Sequence, residues 1–240
     1  MSEDKGTVIT LSRPKLQEVH FGIVGLTNLI CCALPRKIKD EEAVVVRRRK
    51  PLKGNLPEKS DDAEPTGTPE QQFRKSLYPM CGTLPPGAII AMPNGGGLWG
   101  FPSSAIQASC ATFLQRFNPI NPKYAKDTPP VFYGATFMVD EMIPIVGDGP
   151  HMRHDIVRNS RGKRLDTYRG EFKKGWTMLV KMEFDANIIT LERLTNALDG
   201  AGRKVGIGAW RPECRGRFGR FEVDQESITL VKIGEKEQAA

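Results

Sequence analysis

Between Lys204 and Val223 the sequence reads KVGIGAWRPECRGRFGRFEV, a stretch that mixes glycines, cations and aromatic residues at close spacing. Glycines allow a backbone to approach a ligand, arginines and lysines offer phosphate contacts, and aromatic rings offer faces for stacking. This combination predicts a surface for single-stranded nucleic acid. The glycines are Gly206, Gly208, Gly216 and Gly219, the cations are Arg203, Lys204, Arg211, Arg215, Arg217 and Arg220, and the rings are Trp210, Phe218 and Phe221.

The same stretch also suits the end of a domain that folds back on itself, with the aromatic rings in the core and the glycines in a turn. Because side chains alternate along a strand, Phe218 and Phe221 cannot face the same way, so we expect at least one of them in the core. The segment RGRFGRFEV also echoes the basic-Gly-aromatic signature of RNA-recognition domains, although Arg217 shifts its register.

A second concentration of cations lies in HMRHDIVRNSRGKRLDTYRGEFKKG, from His151 to Gly175. Predicted strands flank this segment and a turn is centred on 159–162, so the pattern predicts a long basic hairpin over 150–175. Such a run is often a solvated loop, but an excess of one sign is unfavourable for folding unless a polyanion relieves it. The candidate nucleic-acid contacts here are Arg153, Arg158, Arg161, Lys163, Arg164 and Arg169.

A third basic run, Arg47, Arg48, Arg49 and Lys50, lies in a polar segment that we interpret as an inserted excursion over 35–69. A run of this kind also occurs on flexible loops and in nuclear-localisation patches. It is the third candidate contact with nucleic acid.

Catalytic and metal signals are weak. His151 and His154 lie near Asp155 and several arginines, a set that could cleave RNA by general acid–base chemistry without a metal, although exposed histidines of this spacing are more often simply solvated. The cysteines form no CxxC pair, and the glycines of Asn94–Gly100 lack the residues of a phosphate-binding loop, so they suit a tight turn. We expect no enzymatic activity, no cofactor and no metal.

The composition agrees with a basic, soluble protein. The 240 residues are 39% hydrophobic, enough for a core, and the net charge of +7 favours a polyanionic partner. No cleavable leader and no stretch long enough to span a membrane is evident, and the five cysteines fit a reducing compartment. The expected location is cytoplasmic, without membrane association.

Hydrophobic periodicity predicts strands at 17–26, 131–139, 176–184 and 217–223, and helices at 104–117 and 190–200. Thr190 is the predicted cap of the second helix, and Gly200 and Gly202 are its predicted end. The order β-α-β-β-α-β predicts an α+β fold with a ferredoxin-like, RRM-like core, a long insertion after the first strand and the basic hairpin. We expect one such domain over 1–240.

The segment GRKVGIGAWRPECRGRFGRFEV, with the preceding helix and the strand WTMLVKMEF, resembles uncharacterised phage and mobile-element proteins similar to the RAMP superfamily. These RRM-like proteins include the backbone subunits of CRISPR effector complexes. The resemblance covers Gln17 to Val223. It implies copies that stack along a single-stranded guide, usually RNA, with a thumb at Arg36–Lys53 and a glycine-rich loop at Gly206–Gly219.

The leading hypothesis is therefore a non-enzymatic protein that binds single-stranded RNA and forms homo-oligomers along it, with other effector subunits as further partners. The alternatives are a phage or mobile-element accessory that coats single-stranded DNA in recombination, a metal-independent RNA-processing endonuclease, and an assembly protein whose basic surface meets acidic partners.

Overall fold

The computed structural model describes residues 14–33, 67–80, 98–120, 122–158 and 164–231. In chain order the strands are β1 (Leu16–Gly25), β2 (Leu29–Ile30), β3 (Tyr78–Met80), β4 (Leu98–Pro102), β5 (Thr136–Met138), β6 (Met142–Pro144), β7 (His151–Arg158), β8 (Arg164–Phe172), β9 (Thr177–Asp185) and β10 (Phe221–Val231). The α-helices in these ranges are α1 (Pro69–Ser76), α2 (Ser103–Phe117), α3 (Thr128–Ala135) and α4 (Leu191–Lys204). This combination of helices and antiparallel sheets is an α+β fold, as the sequence predicts.

The central sheet has the strand order β10-β1-β9-β5, and every neighbouring pair is antiparallel. Alternate residues of β1, namely Val19, Phe21 and Ile23, are fully buried. Helices α2 and α4 pack against each other, and their buried side chains join those of β1 in one hydrophobic core. Each apolar side chain buried in this way contributes about 1.5–3 kcal/mol to folding.

Two smaller sheets lie beside the central one, with the orders β2-β8-β7 and β3-β4-β6. Strands β7 and β8 form an antiparallel hairpin where the sequence predicts a basic one. Residues 34–66, which hold most of the predicted excursion with Arg47, Arg48, Arg49 and Lys50, lie outside the described residues, as do hairpin residues 159–163. No helix among the described residues is both long and apolar enough to cross a membrane.

The strand predicted at 131–139 is wrong over most of its length. Residues Thr128–Ala135 form α3, and only Thr136–Met138 joins the sheet, as β5. Prolines take the second and third positions of α3, within the first turn, where a missing N–H removes no helical hydrogen bond. The prolines are thus compatible with a helix, although the Val-Phe-Tyr run that follows favours a strand.

The predicted end of the helix at 190–200 is also wrong, because α4 continues to Lys204. Thr190 caps its start as predicted, through a hydrogen bond from the backbone N–H of Arg193. Gly200 and Gly202 do not stop the helix. A Cβ at Gly200 would overlap the Phe113 ring, and one at Gly202 would overlap the carbonyl oxygen of Phe221. The glycines therefore permit close packing of α4 against α2 and β10.

Candidate nucleic-acid interface

The segment 205–220, here called the glycine loop, connects α4 to β10 and is fixed by its own backbone. The N–H of Ile207 donates to the carbonyl of Gly219 at 2.9 Å. Ala209 and Gly219 donate to the carbonyls of Ile30 and Asn28, at 2.9 and 2.8 Å. The loop is thus anchored both to itself and to the segment around β2.

Trp210 has a left-handed backbone conformation, with a φ of 53°. Such a conformation is costly for a bulky residue, so the surroundings must hold it. The Phe218 N–H donates to the Trp210 carbonyl at 3.1 Å, and a Cβ at Gly216 would overlap that same carbonyl. The glycine at position 216 therefore serves the chain's own close packing, and not the approach of a ligand that the sequence predicts.

Four side chains from the hairpin and the glycine loop form one group, here called the Trp210 cluster: Arg153, Arg169, Trp210 and Phe218. The guanidinium carbon of Arg153 lies 4.6 Å from the Phe218 ring centroid and 5.8 Å from the Trp210 ring centroid. That of Arg169, directly opposite Arg153 in the hairpin, lies 5.6 Å from the Trp210 centroid. These distances are within the range of cation–π attraction. The hairpin thus supports the loop.

Arg153 is also held by two nearly buried carboxylates. Its Nε lies 2.9 Å from Oδ1 of Asp155, and its Nη1 lies 2.8 Å from Oε1 of Glu171. Glu171 also accepts hydrogen bonds from Lys173 at 2.8 Å and from Asn28 at 3.0 Å. This network fixes the Arg153 guanidinium beneath the rings of the Trp210 cluster.

The pKa values of the network agree with this arrangement. Burial alone lowers the pKa of Arg153, but its hydrogen bonds to Glu171 and Asp155 outweigh burial and raise it. Burial alone raises the pKa of Glu171, but its hydrogen bonds to Lys173, Asn28 and Arg153 lower it overall. Both groups therefore remain charged at neutral pH, and Arg153 serves mainly to position the cluster.

An open cavity of ≈ 270 Å³ lies between α2 and the glycine loop, and a larger one, of ≈ 440 Å³, lies beside Trp210. Among the residues that the structure describes, no acidic one lines the larger cavity. Arg215 and Arg217 are exposed there, and neither has an ion-pair partner in the part of the chain that the structure describes. The guanidinium carbon of Arg217 lies 5.5 Å from the Phe218 ring centroid. The larger cavity therefore combines aromatic walls with unneutralised positive charge.

Other predicted contacts of the glycine loop already have partners. Arg211 pairs with Glu213 at 2.8 Å, and the Nε of Arg220 donates to the Arg203 carbonyl at 3.1 Å. Lys204 extends over the Phe117 ring of α2, 4.8 Å from its centroid.

In the hairpin, Arg164 is exposed at the start of β8. Arg161, Lys163 and the side chain of Arg158 lie outside the described residues.

The two histidines considered for catalysis do not face a common site. His151 and His154 are three positions apart in β7, so their side chains lie on opposite faces of the hairpin. Each is paired with a different carboxylate, Asp148 at 2.8 Å and Asp166 at 2.6 Å. Across the described ranges no group of three histidine, cysteine or acidic side chains could hold a metal ion.

The interpretation of RGRFGRFEV as an RNA-recognition signature is wrong. That signature stacks bases on aromatic rings of an exposed sheet face. Phe221 is instead fully buried in the core, and Phe218 precedes β10. Asp155 and Glu171, the partners of Arg153, are not among the residues predicted for the site. A signal was available, because Arg153 and Asp155 are two positions apart in a predicted strand and so share a face.

No protein-family model matches this chain, and no curated protein does either. It is similar to a solved chain of the Type III-B Cmr-beta bound to cognate target RNA, at 10% sequence identity and a TM-score of 0.45. That similarity covers 91% of this chain and 61% of the other. It is also similar to Cmr6 from Pyrococcus furiosus, at 13% identity and a TM-score of 0.40, covering 89% of this chain and 99% of that one. This chain thus spans about three fifths of the first of these chains.

Proposed function

We propose that this chain is a non-enzymatic protein that binds single-stranded nucleic acid at the glycine loop. Trp210 is the stacking platform for a base, and Arg215 and Arg217 contact the neighbouring phosphates. The observation that carries the proposal is Trp210, whose backbone is held in a left-handed conformation beside a cavity with two exposed arginines and with no acidic residue among its described lining residues. Stacking of one base on such a ring contributes about 1–3 kcal/mol.

The arginines of the site divide into two groups. Arg153 is neutralised by Asp155 and Glu171, so it adds little net charge for a phosphate. Arg215 and Arg217 keep their charge, and a phosphate that they neutralise releases condensed counterions. Binding is therefore expected to depend on salt through the loop arginines, with Arg153 acting through the position of the rings.

The proposal extends to a RAMP-like, ferredoxin-like core that oligomerises along RNA, with other effector subunits as further partners. The strand order supports the core. The elements that correspond to β-α-β-β-α-β are β1, α2, β5, β9, α4 and β10. In the central sheet the fourth of these strands, β10, lies next to the first, and the third, β9, lies between the first and the second. RNA is the ligand to test first, because the resemblance of the sequence to RAMP proteins implies a guide RNA. Single-stranded DNA is the alternative.

Binding of labelled single-stranded RNA and DNA of equal length, each at several salt concentrations, tests the proposal. We expect binding that weakens as salt rises. Tighter binding of RNA would indicate contacts to the 2′-OH. No binding, or binding that salt does not weaken, would overturn the proposal. Incubation with structured RNA in the presence of a chelator tests the non-enzymatic part: we expect intact RNA, and cleavage would contradict it.

A further inference from the structure

Strand β7 is an edge strand, and no other described strand pairs with it on the side away from β8. The N–H groups of Tyr168 and Gly170 in β8 donate to side chains of α1, so they point away from β7. Their cross-strand partners in β7 are His154 and Met152. In an antiparallel sheet, two directly opposite residues that do not share hydrogen bonds both point their backbone N–H and C=O groups away from each other. The N–H and C=O groups of Met152, His154 and Ile156 therefore face outward, and no strand in the described ranges pairs with them.

This edge carries apolar side chains that the chain leaves in solvent. Met152 is 49% exposed and Ile156 is 60% exposed, and they flank His154 on one face of the hairpin. An eight-residue strand whose outward backbone groups pair with no described strand, and whose apolar side chains are exposed, is a template for pairing with another strand. Natural proteins commonly protect such an edge, and a second strand is the most direct protection.

We infer that β7 pairs with β7 of a second copy of this chain, antiparallel and about a two-fold axis at His154. In this register Met152 lies opposite Ile156 of the second copy, and Arg153 lies opposite Asp155 of the second copy. Both kinds of pair occur twice because the interface is symmetric. Apolar side chains thus meet apolar ones, which favours cross-strand pairing.

The neighbouring registers are less favourable. An axis at Asp155 would place two carboxylates directly opposite each other, and an axis at Arg153 would do the same with two guanidiniums. Like charges directly opposite in a sheet are destabilising. An axis at either position would also move Met152 out of opposition with Ile156 of the second copy, so the apolar pattern of β7 selects His154 as the centre of the pairing.

A cysteine cross-link tests this register. Directly opposite residues that share hydrogen bonds have Cα atoms about 5.5 Å apart, within the range that a disulfide can bridge. We expect His154→Cys to form a covalent dimer under mild oxidation. Asp166→Cys is the matched control, because Asp166 is exposed on the next strand, opposite Ile156, and this variant should not form a covalent dimer. The unaltered chain is the second control because Cys32 and Cys214 are exposed. If His154→Cys cross-links no more than these controls, the register is wrong.

The mass in solution tests the dimer itself. The protein is treated with nuclease and measured by light scattering in high salt, so that assembly on nucleic acid cannot contribute. We expect a mass twice that of the 26.6 kDa chain. The variant Ile156→Lys should shift the mass to that of one chain, and its circular dichroism should be unchanged because the side chain is mostly exposed. A monomeric unaltered chain, or a variant that stays dimeric, would overturn the inference without affecting the proposed function.

Discussion

The guanidinium of Arg153 lies 4.6 Å from the ring centroid of Phe218, which joins the hairpin to the glycine loop across 65 residues of sequence. Asp155 and Glu171 neutralise this guanidinium from the other side. The contact explains why a basic hairpin and a glycine-rich loop can act as one surface. The hairpin supplies the support, and the loop presents the ring and the charges.

Replacing Arg153 with methionine should destabilise the fold more than the same change at Arg169. Arg153→Met leaves Asp155 and Glu171 without a shared partner, which costs about 2–3 kcal/mol. Arg169 makes a cation–π contact but no ion pair among the described residues, so Arg169→Met should cost about 0.5–1 kcal/mol. Urea unfolding measures both variants. Equal losses would contradict a positioning role for Arg153.

A methyl group at Gly216 should distort the loop. The added Cβ overlaps the Trp210 carbonyl, and overpacking of this kind costs about 1–3 kcal/mol. Gly134→Ala is the matched control, because nothing lies within 4 Å of a Cβ at that position in α3. That control should be neutral or stabilising by about 0.5–1 kcal/mol. Thermal unfolding compares the two, and a Gly216→Ala variant as stable as the control would show that the loop packs differently.

The variant Trp210→Gly separates stacking from stability. Glycine accepts the φ of 53° without strain, so the loop keeps its backbone while the ring is removed. We expect the affinity for single-stranded nucleic acid to fall by about 1–3 kcal/mol. The free energy of unfolding should change by less than the binding free energy. A variant that binds as tightly as the unaltered chain would remove Trp210 from the interface.

Stability should depend on pH through Glu171. Its pKa in the folded chain is lowered from the ordinary 4.5, so its contribution is present above that value and is lost as the pH falls through the lower, folded pKa. Urea unfolding should therefore show a loss of stability in this acidic window. In Glu171→Gln the loss should be smaller, since the titrating group is gone. An equal loss of stability in acid for Glu171→Gln and for the unaltered chain would show that other carboxylates cause the pH dependence.

The parts of the fold that local pattern determines were predictable. Alternating apolar residues place β1 and β9, and a threonine followed by helical periodicity places the start of α4. The helix at Thr128–Ala135 was missed because strand-forming residues follow its prolines, and only packing against the rest of the chain decides between the two states. Gly200 and Gly202 read as helix stops, although their role depends on Phe113 and Phe221, which are distant in sequence.

The candidate site was predictable in composition but not in geometry. Residue types alone identified Trp210, Arg215 and Arg217 as a stacking ring with phosphate contacts. They could not show that Arg153 is neutralised by Glu171, because that pairing depends on the hairpin register. Nor could they show that the glycines serve internal contacts, which depend on how the loop closes on itself.

The salt dependence of binding by the double variant Arg215→Ala/Arg217→Ala tests the central claim most directly. Each phosphate contact to a single strand adds about 0.7 to the slope of log affinity against log salt, so the double variant should lose about 1.4. Arg203→Ala is the control, since Asp199 and Glu222 already neutralise that exposed arginine, and its slope should not change. Equal slopes in the double variant and the unaltered chain would show that the nucleic acid does not bind at the glycine loop.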